Sequence, residues 1–158
     1  MDATVTTRPW QPPIDTLPDG PQPGIVYILP RMRDGEGRPA FHPENLTLVK
    51  SAVTSGARLD YALPPDERRF VDHFSAESTL ELWLALSGPI TDVVLFGLGY
   101  MIDRLLHNRG SSRSDIDGTA VTVRIAQYNP DSGAYEGLEV IGPAEDVIAT
   151  VEALKRDN

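Results

Sequence analysis

Cysteine is absent from the 158-residue chain. Disulfides, thiol nucleophiles and cysteine-ligated zinc or iron–sulfur centres are therefore excluded. Positive charge is scarce as well: 14 Lys and Arg stand against 23 Asp and Glu, for a net charge of −9, and the pI is near 4.7. Such a surface repels phosphate backbones and anionic bilayers, so neither nucleic acid nor a membrane is the expected partner. The opening "MDATVTTRPW" lacks the basic and apolar regions of a secretory signal, and the expected location is the cytoplasm. Catalytic signatures are missing too. No GxSxG, SxxK, P-loop or HExxH pattern occurs, so nothing argues for an enzyme and no cofactor is implied.

Long hydrophobic runs are also lacking. The most apolar stretch, "DVVLFGLGYMI" from Asp92 to Ile102, is closed by Asp103 and Arg104, far short of the ~20 residues that cross a bilayer. Its two glycines raise a second reading, a dinucleotide-binding turn. The GxGxxG pattern fails there, because Ile102 stands where the third small residue must allow close helix-to-strand packing. The third reading accommodates more residues: Ile90, Val93, Val94, Gly97, Leu98, Met101, Ile102 and Leu105 follow helical i, i+3, i+4 spacing between Pro89 and Gly110. Leu95, Phe96, Tyr100 and Leu106 make the opposite side apolar too. Such a helix is buried on both sides or covered by a partner.

What the chain does have is the composition of a globular domain, 41% hydrophobic and 23% charged, with 14 prolines that crowd its first part. Residues 1–23 carry Pro9, Pro12, Pro13, Pro18, Pro21 and Pro23 and no apolar periodicity, which predicts a disordered arm ahead of a single domain over 24–158. "GIVYILP" from Gly24 suits a buried strand, and "RMRDGEGRPAF" a short hairpin. A helix follows from Pro43 to Gly56, with Leu46, Val49 and Val53 on one face. "ARLDYAL" and "TLELWLAL" alternate with period two, as strands do, and "DERRFVDHF" between them reads as a short exposed helix. "VTVRI" and "YEGLEVIG" flank the turn residues "NPDSG", and a last helix carries Val147, Ile148, Val151 and Leu154.

The order strand, helix, strand, strand, helix, strand, strand, helix predicts an α+β fold, a mostly antiparallel sheet with helices on one face, its first six elements matching the order of a ferredoxin-like unit.

Few residues invite chemistry. His42, His73 and His107 have no metal-ligand spacing. Asp72 beside His73 suggests acid–base work, although sequence neighbours on a helix do not face each other. "SDIDGT" resembles the start of a calcium loop, but Arg124 occupies the place of its closing glutamate. Trp10, between prolines in "RPWQPP", is either an aromatic anchor for a groove on another protein or part of a solvated linker. Trp10, Asp72 and His73 are the candidate binding residues; no catalytic or metal-ligating residue is assigned.

From Ile90 to Leu154 the chain runs through an apolar helix ending "IDRLLHNRG", a polar loop, the hairpin "VTVRIAQYNPDSGAYEGLEVIG" and "PAEDVIATVEAL". This order resembles the effector-associated constant component proteins of actinobacterial conflict systems. The resemblance covers less than half the chain and carries over no active site. It implies a non-enzymatic companion of effectors; the missing catalytic signatures, the unusually apolar helix and the proline-rich arm point to a non-catalytic adaptor or regulatory component whose partner is another protein, with a homo-oligomer also open. The alternative is a small-molecule enzyme or ligand-binding domain with a pocket between sheet and helices.

Overall fold

The computed structural model describes residues 5–42, 44–71, 80–108 and 120–157. Among the described residues eight strands and three α-helices follow one another as β1 (Thr6–Trp10), β2 (Val26–Ile28), β3 (Met32–Arg33), β4 (Pro39–Ala40), α1 (Glu44–Ser55), β5 (Leu59–Tyr61), β6 (Leu80–Ser87), α2 (Asp92–Asn108), β7 (Ala120–Asn129), β8 (Ala134–Pro143) and α3 (Ala144–Asp157). The fold is α+β. Six strands form one sheet in the order β1-β8-β7-β6-β2-β5, and β3 pairs β4 in a separate hairpin.

Within the sheet β1–β8, β8–β7 and β6–β2 are antiparallel, whereas β7–β6 and β2–β5 are parallel. Each parallel pair is the two ends of a strand–helix–strand unit, β2–α1–β5 or β6–α2–β7. The two sheet strands of each unit, β2 with β5 and β6 with β7, are direct neighbours, where a ferredoxin-like split unit would place another strand between them. The ferredoxin-like order is thus corrected to two ordinary crossover units joined by the antiparallel contact of β6 with β2.

Period-two strands make one face of the sheet apolar. Val26, Ile28, Leu82, Leu84, Leu86, Val121, Val123, Ile125 and Val140 turn toward the helices and pack with Leu48 of α1, with Val94, Leu98, Met101 and Ile102 of α2, and with Val147 and Val151 of α3. The helices therefore lie on one face, as the alternation implies. α2 starts where Thr91 accepts the Val94 amide at 3.3 Å through its hydroxyl, an N-cap. α1 ends at Gly56, whose φ of +80° is the left-handed conformation that favours glycine.

On α1, Leu48 and Ala52 are buried and Val49 packs against the core, while the side chains of Leu46 and Val53 lie outside the described ones. Two expectations need correction. "DERRFVDHF" is no helix over its described part: a 3-10 turn at Pro65–Glu67 is followed by extended chain, and Phe70 bridges Phe41. The cause is aromatic packing, since Phe70 stacks on Phe41 and meets Tyr61 edge-on.

The second correction concerns the proline-rich segment. Its described part, from Val5, is not a disordered arm: β1 pairs β8, a 3-10 turn spans Ile14–Thr16, and Trp10 and Leu17 pack on the face of the sheet opposite the helices. A strand edge rewards backbone donors and acceptors irrespective of side-chain hydropathy, and prolines are tolerated on an edge strand.

Candidate functional site

On the face away from the helices, the strand register aligns four side chains across four strands. Arg8 of β1 stands opposite Glu139 of β8, Glu139 opposite Arg124 of β7, and Arg124 opposite Trp83 of β6. Glu139 is 3% exposed, and a carboxylate so buried requires partners. The Arg8 Nε donates to one of its oxygens at 2.6 Å and the Arg124 Nε to the other at 2.7 Å. Burial pushes the Glu139 carboxyl up, but the hydrogen bonds from Arg124 and Arg8 outweigh it, so its pKa lies below the ordinary value.

Arg124 also donates to Glu81, which accepts the Trp83 indole N–H at 2.7 Å. The Arg124 guanidinium stands 5.4 Å from the Trp83 ring. Every carboxylate in this row is engaged by a cation, which suits a clamp and leaves none in the form of a general base.

Trp10 completes the row. Its ring meets Trp83 edge-to-face, with centroids 5.3 Å apart and planes at 66°. The Trp10 residue pairs with Gly137 of β8. A Cβ at Gly137 would collide with the Trp10 carbonyl, so only glycine admits the chain there. Beyond this crossing the segment follows the sheet face, and Pro18 accepts a hydrogen bond from the Tyr135 hydroxyl at 2.8 Å. Burial above all, with Tyr128, Tyr27 and Asp19 nearby, pushes the Tyr135 pKa up to about 12.

Two grooves open beside the β7–β8 hairpin. One, of about 480 Å³, is lined by Gly88, Pro89, Gln127, Tyr128, Asp131 and Glu136, and its Gln127 amide is held by the Gly88 carbonyl at 2.7 Å. The other, of about 450 Å³, lies along the proline-rich segment between Pro12, Ile14, Leu17, Pro18 and Tyr135. Neither is set between sheet and helices, where the core side chains form one apolar cluster.

On the far side of the molecule α2 packs against both α1 and α3, and the Tyr100 hydroxyl of α2 shares a 2.6 Å hydrogen bond with the Ser51 hydroxyl of α1. Its inner row is buried, but Val93 and Phe96 on its outward side are 45% and 52% exposed. Both follow Asp92 in the first turns of the helix.

Of the residues singled out from the sequence, Trp10 lies in the described structure, half-buried against Trp83. Asp72 and His73 lie outside the described residues, as does the "SDIDG" loop. Among the described residues no group of three or more His, Asp or Glu is placed to hold a metal ion, and no helix is long and apolar enough to cross a membrane. Glu139, Arg124 and Trp83 were not singled out. Their signal was present in the alternation, which puts Glu81 and Trp83 opposite Leu80, Leu82 and Leu84, and Arg124 opposite Val123 and Ile125. No family model matches this chain, nor does any curated protein or any solved structure.

Proposed function

We propose that the chain is a non-catalytic, cytoplasmic interaction component that docks on a positively charged surface of another protein through the outward row of α2. The observation that carries this reading is the exposure of Val93 and Phe96 on the helix whose other side forms the core. Adjoining exposed apolar side chains with a polar rim are the kind of surface that a protein contact covers. The net charge of −9 selects the partner: a second copy is repelled, whereas a basic surface is attracted. The sequence order from Ile90 to Leu154, resembling effector-associated components of bacterial conflict systems, supports placing that partner in a defence or toxin system.

The test is a paired capture from the native host with wild type and a Val93→Ser/Phe96→Ser double variant of equal melting temperature. A basic protein recovered by wild type, lost by the variant and released by moderate salt is the expected outcome. Equal recovery by both, or a concentration-dependent dimer of wild type that the variant abolishes, overturns the proposal.

A further inference from the structure

The proline-rich segment occupies a seat with the parts of a peptide-binding site. β8 offers it a strand edge, Glu139 takes its arginine, Trp83 takes its tryptophan, Gly137 makes room for its backbone, and the Tyr135 hydroxyl holds the Pro18 carbonyl. Strand addition with alternate side chains in specific sites is a recurring mode of peptide recognition. The segment is held at a few points rather than buried along its length: Ile14 in its 3-10 turn is 87% exposed, the Arg8 side chain is 62% exposed above a carboxylate that is 5% exposed, and the groove of about 450 Å³ is walled largely by the segment itself, through Pro12, Ile14, Leu17 and Pro18.

We infer that the β8 edge with Glu139, Trp83, Gly137 and Tyr135 is a peptide-acceptor site filled in cis by residues 6–18, and that it accepts an extended segment of another protein with the pattern arginine, any residue, aromatic, followed by proline. The own segment acts as a built-in competitor: it closes the site until a segment that makes the same contacts more tightly replaces it. Glu139 selects a cation at the first position. A second copy supplying its own segment would bring two chains of net charge −9 together, so the source is a different, less acidic protein. This site lies on the opposite side of the sheet from the outward row of α2, and either can fail without the other.

The experiment uses the full chain and a labelled synthetic peptide spanning Val5–Pro18. It compares wild type with an Arg8→Ala/Trp10→Ala variant whose own segment is weakened while the seat is intact. Fluorescence anisotropy should show the peptide binding the variant about tenfold or more tighter than wild type. A peptide with its tryptophan replaced by alanine should lose about tenfold or more, because aromatic anchors dominate such contacts. Circular dichroism confirms that the variant is folded, and adding Tyr135→Phe to it, which removes one hydroxyl and no ring from the seat, should weaken peptide binding. Equal affinity for wild type and the Arg8→Ala/Trp10→Ala variant, or no binding to either, overturns the inference. So does a concentration-dependent dimer of wild type that the free peptide dissociates, because the occupant would then be a second copy.

Discussion

Glu139 shows how much of the molecule depends on one side chain. It sits in a sheet face as deeply as a leucine would, and it is tolerated there because guanidinium groups from two flanking strands satisfy both oxygens. Glu139→Gln should cost about 1 to 3 kcal/mol at neutral pH, below the full cost of stripping a buried pair because Arg124 keeps Glu81. The sign of the pH dependence follows from its lowered pKa. The stabilisation is fully present above the unfolded glutamate value, about 4.3, and is lost as pH falls through the lower folded value. Urea midpoints measured from neutral pH downward should show the gap between wild type and Glu139→Gln closing at acid pH. A gap that stays constant would mean that the carboxylate charge is not what holds the row together.

Among the elements, α2 carries the most information. Its outline was legible from the spacing of Val94, Leu98, Met101 and Ile102 between Pro89 and Gly110, because a helix that buries one side must repeat its apolar residues at that period. The strands were legible for the same reason at period two, and the alternation of Leu82 and Leu84 with Glu81 and Trp83 placed the core side correctly. Strand order was not legible, since pairing β6 with β2 depends on contacts between segments far apart in the chain. At Gly97, an added Cβ would sit 3.4 Å from Leu59 Cδ2 and from Val26 Cγ2, ordinary van der Waals distance. A methyl group fits and a larger side chain does not. Gly97→Ala should therefore stabilise by up to about 1 kcal/mol through helix propensity, whereas Gly97→Leu should destabilise by about 1 to 3 kcal/mol through overpacking. Denaturant midpoints decide it; an alanine as harmful as the leucine would show that α2 lies closer to β2 and β5 than described.

At the scale of the whole molecule, one sheet is covered twice, by three helices on one face and by the proline-rich segment on the other. The second covering was illegible in the sequence for a physical reason. Composition reports whether a segment can bury its own apolar surface, whereas β1 is held by backbone pairing, by one arginine whose partner is 131 positions away, and by a tryptophan that needs another tryptophan and a glycine in register. Of the candidate site, Trp10 was legible as the large side chain of the segment, and its place against Trp83 was not. The peptide-acceptor site rests on this arrangement, whereas the outward row of α2 on the other side of the sheet stands apart from it. Amide hydrogen exchange over residues 6–10 of the full-length chain tests it most directly. Protection of the amides of Arg8 and Trp10, which lie on the side of β1 away from the outward-facing positions of Thr7 and Pro9, well above free-peptide rates, reduced by Gly137→Val with β6 and β7 unaffected, is the predicted result; exchange of these two amides at free-peptide rates in wild type would contradict the account.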